Sequence, residues 1–239
     1  MRRLGLVQPG RIGDIIICLP IAKWYFDKGY EVIWPIDYNI IDNFKNYVDY
    51  VKFVPVNFDC HDARIKCLEE KCNNIIDLTF NIQNGNGFNG EVYLRQDVHS
   101  FDEFKYYIAN VPFEEKWNLK INRNIEKEES LMKSLSTDEP YVIVQEMASG
   151  AFVKVDWSSS KTKRIDIQNK TSSIFDWLGV LEKAEQHILI ESCFSNLVDQ
   201  LDIRVKKHTL LLKHGYYGET LKDGRLKGIP FFKLNWNRI

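Results

Sequence analysis

Two short stretches of the chain carry residue types that do chemistry, at a spacing that chemistry can use. The first is Gly10-Arg11-Ile12-Gly13-Asp14-Ile15-Ile16-Ile17-Cys18-Leu19-Pro20. Its two glycines let a backbone turn tightly from a strand into a helix. A carboxylate at the start of that helix lies at the crevice where open α/β sheets bind ligands. Such a group can take the proton of an attacking hydroxyl. It can equally be a cap, because Asp is among the best residues for satisfying the first N–H groups of a helix. The spacing is not G-x-G-x-x-G, which argues against a nicotinamide dinucleotide. The second stretch is Glu191-Ser192-Cys193-Phe194-Ser195-Asn196-Leu197, after the apolar run 187–190. A strand, a small polar turn and a helix together present backbone N–H groups and a helix dipole to a phosphate. Here too the serines can simply cap the helix.

The elements that must position these groups follow from the pattern of apolar residues. Residues 4–8 form an apolar run of strand length that ends at the turn signal Pro9-Gly10. Apolar residues at helical spacing then run to Phe26, where Lys28-Gly29 stops them, with Pro20 interrupting the pattern. The spacing predicts strands at 30–34 (closed by Pro35), 51–56 and 75–79, with helices at 41–48 and 59–71. The stretch 81–90 holds four Asn and three Gly and reads as a loop, functional or a plain surface tip. Tyr93, Arg95, Gln96 and His99 follow it and are candidates to line an acceptor site. A helix is expected at 100–110, and a polar linker with the first helix of a second half at 122–138. Strands near 141–145, 165, 187–190 and 209–212 and helices at 174–186 and 195–201 complete the pattern. Alternation of this kind gives βαβ units and a largely parallel sheet.

The string G-D-I-I-I-C-L-P after a first strand resembles the opening motif of the heptosyltransferase family, glycosyltransferase family 9, which has the GT-B fold. The resemblance implies an α/β protein of two Rossmann-like domains with parallel sheets. Residues 1–122 would hold the acceptor, and a compact second domain, 123–239, the nucleotide sugar. It implies that Asp14 is the general base on the acceptor hydroxyl, with Arg11 and Gly13 beside the acceptor. Ser149-Gly150 and Lys154-x-x-Trp157 resemble the family's second-domain turn, where a Lys close to a Trp helps hold the donor phosphates, although the spacing differs. A lysine there can neutralise a diphosphate leaving group, or it can be an ordinary solvated side chain. The stretch 187–197 resembles the donor half, with Glu191 toward ribose hydroxyls and Ser192 and Ser195 toward phosphate. The Asp-x-Gly-x-x-His type of turn usual there is absent. What is implied is metal-independent transfer of a sugar from a nucleotide sugar to an acceptor hydroxyl. The displacement would be direct, with inversion and with no cofactor beyond the donor substrate. A non-catalytic module binding a sugar or a partner protein, and a nucleotide-sugar epimerase, stay open as alternatives.

Composition removes other classes. Of 239 residues, 44% are hydrophobic and 27% charged, the profile of an ordinary globular chain. Lys plus Arg (32) nearly balances Asp plus Glu (33), and no basic stripe exists, so nucleic acid is not an expected partner. No apolar run approaches the roughly 20 residues that span a bilayer, and the first residues lack a signal-peptide core. Five cysteines without a C-x-x-C pair fit reduced thiols and a cytoplasmic setting. The five histidines show no ligand spacing with them, so no metal site is expected. Aromatic residues reach 13%; their faces stack on sugar rings, though most belong to cores.

Overall fold

The computed structural model describes residues 2–79, 100–158, 160–168, 170–213 and 230–239. The loop expected at 81–90, with Tyr93, Arg95, Gln96 and His99, lies outside the described residues. The chain forms two compact units that divide in sequence between Asn122 and Arg123. The second half does not run unbroken: Phe231 belongs to the first unit, and Phe232–Ile239 to the second.

The first unit runs β1 (Arg2–Val7), α1 (Ile12–Asp27), β2 (Tyr30–Asp37), β3 (Lys52–Val56), α2 (Cys60–Glu69), β4 (Asn74–Asp77) and α3 (Phe101–Ile108). Its four strands are parallel in the order β3-β2-β1-β4. Buried apolar residues run almost unbroken along β1 and β2, as parallel strands covered on both faces require. Every residue of α1 from Ile15 to Ala22 is buried, so the helix is apolar around its whole circumference. Pro20 does not end it. Beside the break in its ladder, the Tyr106 hydroxyl donates to the Ile17 carbonyl at 2.8 Å. The helix stops where Gly29 takes φ +81°, the left-handed conformation that glycine adopts without penalty.

Two expectations fail in this unit. Pro35 lies inside β2 rather than closing it, opposite Val54 of β3 and past the last β1 partner, Ile33, so no ladder bond to β1 is lost there. The helix expected over 41–48 is only a 3-10 turn, Ile41–Asn43, followed by further single turns. Phe44, Tyr47 and Val48 are still buried, so the apolar spacing reports burial but not a continuous helix.

The second unit runs α4 (Ile125–Leu135), β5 (Tyr141–Gln145), a hairpin β6 (Met147–Ala148) and β7 (Ala151–Phe152), β8 (Lys163–Asp166), a 3-10 turn (Ile174–Trp177), α5 (Leu178–Lys183), β9 (Gln186–Ile190), α6 (Cys193–Gln200), β10 (Lys207–Leu211) and β11 (Trp236–Arg238). Five parallel strands lie in the order β11-β10-β9-β5-β8. Val142, Val144, Ile188, Ile190 and Leu211 form one face of this sheet, covered by Ala148, Ala151, Val153, Val155 and Trp157. The Ser- and Lys-rich stretch is thus a lid over sheet core, held where Glu146 accepts the Val155 N–H at 2.6 Å and pairs with Arg164 at 2.9 Å. The single helix expected over 174–186 is a 3-10 turn running into a six-residue α-helix. β11 was not foreseen.

Inside the second unit His187 and His208 are buried side by side, Nδ1 to Nδ1 at 3.3 Å. Their partners fix the tautomers. His187 Nε2–H donates to the Leu181 carbonyl, His208 Nδ1–H donates to His187, and His208 Nε2 accepts from Val205 N–H. Every ring nitrogen is used with both rings neutral, and a proton added to His187 would set two N–H groups face to face. Burial holds His187 down to about 4, and His208 adds to that. Burial also lowers His208, against the attraction of Asp199. The unfolded chain therefore binds protons that the folded chain refuses. Stability is complete above the ordinary histidine value and is lost as pH falls from about 6.5 to 4. We expect a loss on the order of 3 kcal/mol from His187 across that window, read by urea denaturation at stepped pH. His187→Gln should flatten the profile there.

Candidate active site

In an open α/β sheet, ligands bind beyond the carboxyl ends of the strands where the strand order reverses. In the first unit that point lies between β1, whose chain moves on to β2, and β4 on its other side. The residues that leave β1 there are Gln8, Pro9, Gly10 and Arg11, and those leaving β4 are Leu78 and Thr79. A Cβ on Gly10 would sit 1.6 Å from Phe58 Cε2, so a larger residue there would have to push the exposed Phe58 ring aside. Arg11 is the N-cap of α1, exposed, with φ 61° and no side-chain cap bond. A non-glycine residue in that region is strained by on the order of 1–3 kcal/mol, and such strain gathers at functional turns.

In this placement Asp14 is not the cap of α1. The capping position belongs to Arg11, and Asp14 is the third helical residue, half-buried in the first turn. Its carboxylate is positioned by Gln8, whose Nε2 approaches Oδ2 at 3.5 Å and donates to the Gly10 carbonyl at 3.1 Å. Gln8 is held in turn from below. The buried Lys105 of α3 donates to Gln8 Oε1 and to the Leu78 carbonyl, both at 2.8 Å, tying together the ends of β1 and β4. Cys18, one turn beyond Asp14, is not a rival nucleophile, because burial pushes its thiol up to about 12. Gly13 adjoins Asp14 in the same turn. Lys105 and Gln8 escaped the sequence reading; the one legible signal was a Gln directly before Pro-Gly at a strand end.

The reversal in the second unit lies between β5 and β9. Gln145 ends β5, Glu191 and Ser192 follow β9, and Ser192 Oγ donates to Gln145 Oε1 at 2.7 Å across the gap. Ser192 is the N-cap of α6, and with Ser195 it forms a reciprocal capping box. Both hydroxyls therefore serve the helix, as the plainer of their two readings had it. Glu191 is buried and faces the Lys213 ammonium at 3.7 Å, beyond the end of β10. Lys213 went unnoticed in the sequence; its signal was its place just past an apolar strand. The Cys193 thiol is held up to about 11 by burial, which keeps it neutral. Ser149 and Gly150 make the β6–β7 turn, and Lys154 is exposed beyond β7, its charge felt by Glu146 and Asp156. The structure does not bring Lys154 to the Glu191 turn through any described contact. Among the described residues no three His, Cys, Asp or Glu side chains gather as metal ligands, and no helix is long and apolar enough to cross a membrane.

Solved structures share this fold. A family 9 glycosyl transferase from Veillonella parvula DSM 2008 superimposes with a TM-score of 0.65 at 10% identity, over 99% of this chain and 87% of that one. The fold is that of glycosyltransferase family 9. The iron-containing dodecameric glycosyltransferase TibC of enterotoxigenic E. coli H10407 matches at a TM-score of 0.57 and 13% identity. That match covers 95% of this chain, which spans 62% of TibC. TibC in complex with ADP-D-beta-D-heptose matches at 0.55 and 12% identity, covering 95% of this chain and 61% of that one. No protein-family model and no curated protein sequence matches the chain. The family 9 fold agrees with the expected α/β, GT-B-like architecture of Rossmann-like units.

Proposed function

We propose that the chain transfers a sugar from a nucleotide-sugar donor to an acceptor hydroxyl, with inversion at the anomeric carbon. The observation that carries this reading is Asp14: a carboxylate at the strand reversal of the first sheet, oriented by Gln8 and not used as a helix cap. The fold shared with glycosyltransferases, one of them bound to ADP-D-beta-D-heptose, supports the choice of reaction. In the step itself the acceptor oxygen bonds to the anomeric carbon while its proton passes to Asp14. The bond from that carbon to the diphosphate breaks in the same displacement, and the diphosphate leaves with the electron pair. Its charge would be met by the N-terminus of α6 and by Lys213, with Lys154 a further candidate. Glu191 would take the ribose hydroxyls. This scheme asks for no metal and no cofactor, and its partners are a nucleotide sugar and a glycan or other hydroxyl acceptor.

The first test is a thermal-shift screen against UDP, GDP, ADP, CMP and TDP and their sugar conjugates. One nucleotide at about 100 times its dissociation constant should add about 2.7 kcal/mol of stability, which is a rise of several degrees. Glu191→Ala and Lys213→Ala should each remove most of that rise. If no nucleotide moves the midpoint at millimolar concentration, the transfer reading gives way to a sugar- or protein-binding module. Product analysis with and without an acceptor separates transfer from epimerisation.

A further inference from the structure

The corner between α2 and β4 holds two thiols that the transfer step does not use. Lys71 takes φ 57° there, and its N–H donates to the Leu68 carbonyl at 2.9 Å. The next N–H, of Cys72, donates to the Cys67 carbonyl at 3.0 Å. This is the Schellman closure of a helix, which sets the side chain just beyond the turn against one in the last turn of the helix. Here those two side chains are Cys72, half-buried, and Cys67, fully buried, and neither is in a disulfide. They pack in one cluster with Val7, Ala63 and Ile75.

Arg3 of β1 pins this corner in place. Its carbonyl accepts the Asn73 N–H at 3.0 Å, and its guanidinium donates to the Glu70 carbonyl at 2.9 Å. Two residues along the same strand stands Gly5. A Cβ there would lie 2.7 Å from Cys67 Sγ and 3.3 Å from Cys72 Sγ, so both sulfurs press on one spot of the strand. Glycine weakens the interior of a strand and often marks a close approach by another group. Two side chains that are close, and held toward each other by the backbone on both sides, meet the main demand of a disulfide.

We propose that Cys67 and Cys72 are a reversible redox pair, in which Cys72 meets an oxidant of the hydroperoxide class and Cys67 closes the disulfide. The Cys72 sulfur gives up its proton to water and attacks one peroxide oxygen. The O–O bond breaks, and the departing hydroxide recovers that proton as water, leaving Cys72 a sulfenic acid. The Cys67 sulfur then attacks the Cys72 sulfur. The S–S bond forms, the S–O bond breaks, and hydroxide leaves with the Cys67 proton as a second water. The two thiols lose two electrons, which reduce the peroxide. The order follows from access, since Cys72 reaches solvent and Cys67 does not. Burial pushes the Cys67 thiol up to about 12, with Cys72 adding to it. Burial, Glu70 and Glu31 also raise Cys72, but the Cys67 thiol and the Arg3 guanidinium pull it back, which makes Cys72 the easier to ionise. None of this depends on Asp14 or on sugar transfer.

Trypsin makes the test direct, because it cuts after Lys66 and Lys71 and so places the two cysteines on separate peptides, 67–71 and 72–95. The full chain is treated with hydrogen peroxide, blocked with iodoacetamide, digested without reductant and read by mass spectrometry. The two peptides should come out joined, on the order of tenfold more abundant than any other cysteine pairing, and dithiothreitol should separate them. Cys72→Ser should abolish the link and leave Cys67 reduced. Cys67→Ser should stop Cys72 at the sulfenic acid, which dimedone traps. The Cys72 position is half-buried and takes a serine more easily than the core position 67, so the parent and Cys72→Ser suffice if Cys67→Ser does not fold. Sulfinic acid at Cys72 with Cys67 still reduced overturns the proposal, as does a link through the exposed Cys60 instead. So does a sample in which Cys60 is oxidised while Cys67 and Cys72 both stay reduced.

Discussion

Asp14→Asn should slow sugar transfer by on the order of 10²- to 10⁴-fold while leaving nucleotide binding unchanged. Asparagine keeps the size of the side chain and can still meet Gln8, but its amide cannot take the acceptor proton. The helix should lose little, about 0.3–1 kcal/mol, because its cap is Arg11 and Asp14 adds only a first-turn charge to it. A purely structural Asp14 would give the opposite pattern, a fall in melting temperature with the turnover of the surviving protein intact. Rate measurements at saturating donor, paired with nucleotide thermal shifts, tell the two apart. Equal rates for Asp14→Asn and the parent would end its candidacy as the base.

Lys116→Met should have the largest effect on stability, a loss of about 3–5 kcal/mol in the first unit. Lys116 and Asp102 are both fully buried, with Nζ and Oδ2 2.5 Å apart. Asp102 also accepts the Ser100 hydroxyl at 2.6 Å and the Phe231 N–H at 3.0 Å, and Lys116 donates to the Phe231 carbonyl. Phe231 is further seated against Phe113 and Trp117. Methionine fills the space but leaves a carboxylate in the interior without its cation, and that uncompensated charge is where the cost arises. Replacing both partners with apolar residues should recover a good part of the loss, since the pair itself adds little over a packed core. Urea titration of the single and double variants measures this, and additive losses would contradict it. With two units, the transition assigned to the first must be followed by a probe inside it.

How far these features could be read in advance depends on where their partners lie in the chain. The parallel strands were legible because they are buried on both faces and read as unbroken apolar runs, as in Tyr141–Gln145 and Gln186–Ile190. The turn-rich 41–48 was not, because Phe44, Tyr47 and Val48 are buried at spacings that a helix and a series of turns share. β11 is three residues long and exists through pairing with β10, which no local pattern announces. For the site, the Gly-Asp turn was visible, but whether Asp14 or Arg11 caps the helix turns on a backbone angle that residue types do not encode. Lys105 reaches Gln8 from 97 residues away and Lys213 reaches Glu191 from just past a neighbouring strand, so neither could be assigned before the topology was known.

The placement of Phe231 and its neighbours also governs when the chain can finish folding. The first sheet is complete in sequence well before residue 122, yet Asp102 and Lys116 wait for a backbone made roughly a hundred residues later. Asp199 of α6 likewise waits for the N–H groups of Lys233 and Leu234 and for the Trp236 indole. An emerging chain would ordinarily settle its leading domain first. Here Asp102 in the first unit and Asp199 in the second both lack these partners until residues 231–236 have been made.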